Sequence, residues 1–136
     1  MVRVAKRGFS ISYLSKDTLP AGIPFETIKR DILGDAYDLS LVIVSDAKSR
    51  ALNRAYRKRS YTPNVLSFPL SGALGEIFLN LRQARREHQT WGHTLRDHVA
   101  LLFVHACLHL KGERHGRTMQ EEEQRILRRR IRGYRS

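Results

Sequence analysis

A chain of 136 residues that is 41% hydrophobic and 28% charged can form one packed core, and we predict a single domain over residues 1–136. Its formal net charge of +12 at pH 7 favours a polyanionic partner, most commonly nucleic acid. The single cysteine excludes an internal disulfide framework and favours a reducing, cytoplasmic location. No apolar run has the length of a membrane span, and no signal-peptide core follows the basic segment 1–8, so we expect no membrane partner.

The first part of the chain predicts strands that alternate with helices. Pro24 suits the first turn of a helix, and the segment 38–45 is rich in the β-branched residues that favour strands. Ser45 or Asp46 is suited to cap the next helix. The apolar stripe expected on that helix consists of Ala51, Leu52 and Ala55. The predicted elements of this part are the strands 9–14, 38–45, 64–69 and 75–80 and the helices 24–33 and 47–57.

The second part of the chain is predicted to be helical. Thr94 is suited to cap a long helix that runs to residue 111, between shorter helices at 81–88 and 118–132. The last helix opens with three glutamates and closes with arginines, an order that complements the helix dipole. Because strands and helices are mixed along the chain, we predict an α+β fold: a small mixed sheet covered by helices, with the long helix buried at the centre.

Three histidines near the end of the long helix predict a metal site. The six residues before His105 are apolar without interruption, which indicates a buried helix, and His109 lies one turn further on the same face. Gly112 is suited to end the helix in a left-handed cap, after which the chain can bring His115 beside the first two imidazoles. Three converging imidazoles with an open fourth position are typical of catalytic zinc, whereas Cys107 points to the opposite side of the helix.

Two other interpretations of this segment stay open. Histidines also occur as ordinary core or surface residues, although burying several imidazoles without partners is costly. The spacing of His105, His109 and His115 is also that of certain zinc proteases, but Ala106 occupies the position where those enzymes carry the glutamate that acts as general base. The ligand pattern therefore fits a metal enzyme, while the usual route of peptide hydrolysis lacks its base.

Several segments together resemble those of a known family. The segments are L-N-R-A-Y-R at 52–57, T-P-N-V-L-S-F-P at 62–69, G-E-I at 75–77 and the histidine segment at 105–115, continued by Met119, Glu123 and 126–127. Through them the chain resembles the YbeY family of metal-dependent endoribonucleases over roughly residues 39–127. The combination of the V-L-S-F strand with the three-histidine segment is highly specific.

The resemblance implies a zinc-dependent, single-strand-specific endoribonuclease that acts in ribosomal RNA maturation and ribosome quality control. It implies one Zn²⁺ per chain with His105, His109 and His115 as ligands, and Arg57 as the catalytic basic residue beside them. The implied partners are single-stranded RNA, above all ribosomal RNA, and the small ribosomal subunit. The chain departs from the family pattern at three places. Ala106 stands where the family usually has Gly, Glu113-Arg114 where it usually has Tyr-Asp, and Asn64 where it often has Asp.

Other basic residues are candidates for RNA binding. Arg54, Lys58 and Arg59 lie beside Arg57 in the sequence and are expected near the metal. A second group near the C-terminus consists of Arg128, Arg129 and Arg130. The alternative for the second group is a solvated helix end whose positive charge favours the helix dipole.

The remaining histidines are not expected to bind the ion. His98 lies about 10 Å before His105 along the helix, so we expect a supporting or surface role for it, and His88 and His93 are expected at the surface.

Two function classes besides a ribonuclease stay open. One is a metallohydrolase of another substrate, including peptides, and the other is a non-catalytic ribosome-binding protein with a structural metal.

Overall fold

The computed structural model describes the backbone of residues 2–6 and all of residues 8–135; Met1, Arg7 and Ser136 of the predicted domain lie outside the described residues. Within these ranges, five strands form one sheet and five helices pack around it. The strands are β1 (Val2–Lys6), β2 (Phe9–Tyr13), β3 (Asp38–Ile43), β4 (Val65–Ser71) and β5 (Leu74–Leu79). The helices are α1 (Phe25–Leu33), α2 (Asp46–Arg57), α3 (Leu81–Glu87), α4 (Leu95–Lys111) and α5 (Arg117–Arg130).

The sheet is mixed, with the strand order β1-β2-β3-β5-β4. Its central pairs, β2 with β3 and β3 with β5, are parallel, whereas β1–β2 and β4–β5 are antiparallel pairs at the two edges. Parallel neighbours need a crossover connection, and here the two connections contain α1 and α2. The predicted α+β fold, a small mixed sheet covered by helices, is therefore confirmed.

Helix α4 is the centre of the fold. It packs on β4 and β5 and against α1, α3 and α5. The Thr94 hydroxyl caps its first turn by accepting a hydrogen bond from the Asp97 N–H (3.1 Å), and Gly112 ends it at a φ of 106°, a conformation that favours glycine. Phe103 and Leu108 are fully buried, which confirms the prediction of a buried central helix. Among the described residues, no helix has both the length and the apolar composition needed to cross a membrane.

Strand β1 was not predicted. Its residues pair with β2 in antiparallel register from Val2 opposite Tyr13 to Lys6 opposite Phe9. The segment V-R-V-A-K begins to alternate apolar and basic residues, but Ala5 breaks the alternation that predicts a strand. Charged residues are common on edge strands because they oppose pairing with other chains, so charge and strand structure are compatible here.

The buried face of α2 also differs from the prediction. Ala51 and Ala55 are exposed, and the residues that point inward are Ser49 and Asn53. The Ser49 hydroxyl donates to the Pro63 carbonyl (2.9 Å), and the Asn53 amide donates to the carbonyl of Tyr61 (3.0 Å). This face therefore packs against the backbone of the loop that leads to β4, where buried carbonyl groups require polar donors and alanine offers none.

Candidate metal centre

His105, His109 and His115 come together at the end of α4. Each contributes one ring nitrogen to a group in which these atoms lie within 4.8 Å of one another. The ring centroids are 4.5 to 4.9 Å apart. The first two rings converge because they lie one turn apart on α4, and the third is brought back by the turn that follows Gly112. We call these residues the first histidine cluster.

In two of the three rings of the first histidine cluster, those of His105 and His109, the outer nitrogen is held by a protein acceptor. The Nδ1 of His109 lies 3.1 Å from the carbonyl oxygen of Glu113, and the Nδ1 of His105 contacts the Glu123 carboxylate. Since both partners are acceptors, both Nδ1 atoms carry the proton, which leaves the Nε2 atoms with lone pairs. This is the arrangement in which metal-binding histidines are usually fixed.

The two Nε2 lone pairs fit a metal ion. The Nε2 atoms of His105 and His109 are 3.1 Å apart, where two lone pairs repel unless a positive group lies between them. Tetrahedral zinc, with bonds to nitrogen of about 2.0–2.1 Å, spaces its ligand nitrogens by about 3.3 Å, close to the separation observed. Burial lowers the pKa of His109, and the imidazoles of His105 and His115 lower it further, which favours the neutral form that binds metal.

Glu123 is a site residue whose role sequence reasoning missed. It lies on α5, is 6% exposed, and reaches His105 across the packing of α5 on α4. The sequence indicated Glu123 only as one of the glutamates at the start of the last helix and as part of the family resemblance, because a residue 18 positions from His105 leaves no periodic signal. Cys107 is fully buried away from the cluster, and burial raises the pKa of its thiol, so the expectation that it does not join the histidines is confirmed.

The first histidine cluster opens into a cleft of about 960 Å³. Arg57 and Arg59 line this cleft, whereas Arg54 and Lys58 are exposed outside its lining. One terminal nitrogen of Arg57 donates to the carbonyl of Ser67 (2.6 Å), and its guanidinium lies 5.2 Å from the centre of the Phe68 ring. Arg57 is thus fixed by β4 with other N–H groups left to donate.

The C-terminal arginines lie outside the lining of this cleft. Arg128 and Arg129 are exposed on α5. Arg130 instead forms a two-pronged ion pair with Asp31 of α1, with distances of 2.5 and 2.8 Å. This hydrogen-bonded guanidinium lowers the pKa of the Asp31 carboxyl. Arg130 therefore ties α5 to α1, in addition to any role in RNA binding.

The other three histidines form a second histidine cluster, consisting of His88, His93 and His98. His88 and His93, which we expected at the surface, are partly buried, and His98 is 1% exposed. His88 Nδ1 lies 2.8 Å from the carbonyl of His93, and His93 Nδ1 lies 3.3 Å from His98 Nδ1. The prediction that His88 and His93 lie at the surface was wrong because the loop between α3 and α4 folds back onto the start of α4.

A carboxylate completes the second histidine cluster. His98 Nε2 lies 2.7 Å from Glu87, whose same oxygen accepts a hydrogen bond from the side chain of Asn64 (2.7 Å). With Nε2 donating to Glu87, the His98 Nδ1 is free to accept a hydrogen bond from the Nδ1–H of His93. The asparagine suits this contact, because an aspartate at position 64 would lack a proton to donate at neutral pH.

Taken together, the fold and the first histidine cluster define an α+β protein with a three-histidine site of the kind that binds a catalytic metal. Residues 12–133 match the family described as Endoribonuclease YbeY. The chain is 38% identical over 99 residues to the Endoribonuclease YbeY of Helicobacter pylori strain J99, covering 70% of each chain. It is 38% identical over 115 residues to that of Pelotomaculum thermopropionicum, covering 76% of this chain and 74% of the relative. The chain belongs to the Endoribonuclease YbeY family.

A solved structure supports the fold independently. The solution structure of a Thermotoga maritima protein superposes with a TM-score of 0.64 and covers 88% of this chain and 86% of its own. The two sequences are 19% identical, so this likeness concerns the fold alone.

Proposed function

We propose that this protein is a zinc-dependent endoribonuclease that cleaves single-stranded RNA in the cytoplasm, in ribosomal RNA maturation and ribosome quality control. The observation that carries the proposal is the position of Arg57 and Arg59 in the cleft of the first histidine cluster. A metal site beside fixed guanidinium groups suits a phosphodiester, which carries negative charge in the ground state and more in the transition state. Membership of a family described as Endoribonuclease YbeY supports the same substrate.

The residues of the chain have distinct parts in this proposal. His105, His109 and His115 would hold one Zn²⁺, which would supply a hydroxide at neutral pH and polarise a phosphoryl oxygen. Glu123 and the Glu113 carbonyl keep the two helical imidazoles oriented with their lone pairs toward the site. Arg57 donates to the scissile phosphate and offsets the charge that develops there. Its bond to the Ser67 carbonyl fixes the guanidinium before substrate binds.

The cleft is less suited to peptide hydrolysis. The usual zinc protease uses a free glutamate as general base, next to the first ligand. The carboxylates that line this cleft are Glu87 and Glu123, and each is already bonded to a histidine. A purely structural metal is also disfavoured, because structural zinc sites are closed by four protein ligands, whereas this one has three and faces a cleft.

The proposal is tested by RNA cleavage with controlled zinc content. End-labelled single-stranded RNA, and the same strand annealed to its complement, are incubated with purified protein, with protein stripped by chelator, and with stripped protein to which zinc is restored. We expect cleavage of the single strand that disappears with zinc and returns with it, and much slower cleavage of the duplex. Cleavage that is undiminished after complete removal of zinc, or equal on both substrates, contradicts the proposal. Cosedimentation with the small ribosomal subunit tests the proposed partner.

A further inference from the structure

Two large aromatic side chains are exposed in the cleft of the first histidine cluster. Trp91, in the loop between α3 and α4, is 63% exposed, and Tyr61, in the loop before β4, is 61% exposed. A single exposed aromatic residue on a protein surface needs no explanation. Two in one cleft, beside a candidate metal centre and two arginines, suggest a ligand with flat faces.

Both rings are carried by loops that are held in place. The backbone carbonyl of Tyr61 accepts a hydrogen bond from the side chain of Asn53, which is fully buried. The backbone N–H of Trp91 donates to the Glu87 carbonyl (3.3 Å), and the indole lies 6.0 Å from the ring of His98. The rings are therefore presented on a supported backbone, which lowers the conformational entropy lost when a ligand packs on them.

The charges around the rings select the class of ligand. Arg57 and Arg59 line the same cleft, while Glu87 and Glu123, the acidic side chains in its lining, are each bonded to a histidine. An unpaired cation next to an exposed aromatic face is the combination that binds single-stranded nucleic acid, where phosphates meet the cations and bases stack on the rings.

A protein partner is a poorer fit. Docking sites for proteins have a contiguous apolar centre. The large aliphatic side chains that are exposed among the described residues, Leu14, Leu70 and Leu74, all lie outside the lining of this cleft. Aliphatic residues of the lining such as Val65 and Leu101 are partly buried, so the large exposed hydrophobic side chains of this cleft are the two aromatic ones.

We propose that Trp91 and Tyr61 form a base-stacking site that holds nucleotides of single-stranded RNA beside the metal centre. This inference rests on the proposed function and gives it a physical cause for single-strand selectivity. Unpaired bases expose their faces to the two rings, whereas the bases of a duplex are already stacked on each other. Stacking on aromatic rings tolerates any base, so the site should select strandedness rather than sequence.

Trp91 is the only tryptophan of the chain, so its fluorescence reports on this site alone. Zinc-loaded protein is titrated with a uridine oligonucleotide and, separately, with an abasic oligonucleotide of the same length, each checked by gel to be intact after the measurement. We expect the uridine oligonucleotide to quench and shift the emission at saturation and the abasic one to leave it nearly unchanged. Unchanged emission with the uridine oligonucleotide, or equal changes with both, overturns the proposal.

Substitutions test the same site by binding of labelled oligonucleotides. Trp91→Leu and Tyr61→Leu should each weaken binding of the uridine oligonucleotide by about tenfold and leave binding of the abasic one unchanged. Trp91→Phe should restore most of the affinity, because it restores an aromatic face. The matched control is Tyr56→Leu, which removes a tyrosine that is 68% exposed but lies outside the cleft lining. Unaltered affinity in both leucine variants, or an equal loss on the abasic strand, overturns the proposal.

The outcome is separable from that of the proposed function. If the wild-type protein shows the base-dependent quenching but cleaves no RNA with zinc present, the stacking site stands and the ribonuclease proposal fails. If it cleaves RNA and the leucine variants bind both strands like wild type, the ribonuclease stands and the stacking site fails. Zinc content and the thermal midpoint of every variant show whether a loss of affinity reflects loss of folding.

Discussion

The two histidine clusters contain three imidazoles each, yet they differ in what the ring nitrogens face. In the second histidine cluster, His98 is bonded at both ring nitrogens, to Glu87 and to His93, so the protein itself satisfies it. In the first histidine cluster, the outer nitrogens of His105 and His109 are bonded to acceptors while their inner nitrogens face each other. The number of histidines is the same, but among the described residues only the first cluster brings ring nitrogens close enough together to hold an ion.

This difference follows from the elements that carry the rings. His105 and His109 are one turn apart on α4, which makes their inner nitrogens converge. His93 lies in the loop just before α4 and His98 lies in the first turns of that helix. The ring of His93 can therefore form a hydrogen bond with the ring of His98. Converging ring nitrogens suit a metal ion. The hydrogen bonds from His93 to His98 and from His98 to Glu87 instead suit the anchoring of the loop between α3 and α4.

The largest expected effect is the loss of zinc from the first cluster alone. His105→Ala or His109→Ala should abolish stoichiometric zinc binding and RNA cleavage, because two remaining imidazoles are too few to retain the ion. His115→Ala should lower zinc content less, because His115 is exposed and water can replace it as a ligand of the ion. The matched control is His98→Ala on the same helix, which should keep about one zinc per chain. Elemental analysis of the four variants decides the comparison, and full zinc content in the first two would refute the site.

The second cluster should instead contribute to stability. His98→Ala removes a buried ring and leaves the Glu87 carboxylate with fewer partners, so we expect a loss of about 2 kcal/mol in the free energy of unfolding. His88→Ala, which removes one bond to a backbone carbonyl from a partly buried ring, should have a smaller effect. Denaturant unfolding at equal zinc content provides the measurement. A stability change in His98→Ala no larger than that in His88→Ala would show that the hydrogen bonds of His98 with Glu87 and His93 are not what holds the loop.

Arg57 should affect cleavage without affecting either cluster. Arg57→Ala should lower the rate of RNA cleavage about tenfold or more, equivalent to about 1.4 kcal/mol in the barrier, with normal zinc content. Arg54→Ala provides a comparison one turn earlier on α2, where the side chain is exposed outside the cleft lining, and its effect should be smaller. Single-turnover kinetics separate the two. If Arg57→Ala cleaves at the wild-type rate, the role carried over from the family is wrong for this residue.

Acid should lower the stability that the second histidine cluster gives to the fold. Burial lowers the pKa of His93, the neighbouring His98 lowers it further, and Asp97 acts in the opposite direction; the Tyr134 ring also faces it. Since the folded state favours the neutral ring, the stabilisation is complete above the unfolded pKa of about 6.5 and is lost as the pH falls through the lower folded value. Between pH 7.5 and pH 5, the thermal midpoint of wild type should therefore fall more than that of His93→Gln. Parallel curves would remove His93 as a cause of acid sensitivity.

The parts of the structure that sequence predicted well are those governed by local geometry. Periodicity located the helices, and the spacing of His105 and His109 on an apolar helix was sufficient to predict that the rings converge. Gly112 marked the end of the helix because a left-handed cap favours glycine. Each of these features depends on residues within one or two turns of each other.

The missed features depend on how distant elements pack. Glu123 reaches His105 because α5 lies against α4, and the bond between Glu87 and Asn64 joins residues 23 positions apart. The polar face of α2 was missed because helical periodicity reports apolar stripes, whereas Ser49 and Asn53 are buried to satisfy carbonyl groups of a loop. No local pattern encodes such contacts.

The smallest expected effect concerns the C-terminal arginines, which belong to neither cluster. Arg128 and Arg129 are exposed, so each can neutralise one RNA phosphate, whereas the guanidinium of Arg130 is paired with Asp31. Each phosphate contact changes the slope of log affinity against log salt by about 0.7 for a single strand, so Arg128→Gln with Arg129→Gln should flatten the slope by about 1.4. Arg130→Gln should change the slope little and lower the thermal midpoint instead, because it breaks the pair that ties α5 to α1.

The control for this charge change lies on the same helix. Arg117→Gln with Arg125→Gln removes the same charge from side chains that pair with Glu121 and Glu122, and should leave the slope nearly unchanged. Binding titrations at several salt concentrations, with zinc content confirmed in each variant, compare the two pairs. If both double variants flatten the slope equally, the effect is one of net charge, since the contribution would not depend on where the arginines lie. If neither changes it, the RNA follows the cleft, and the contacts that set the salt dependence are those of Arg57 and Arg59.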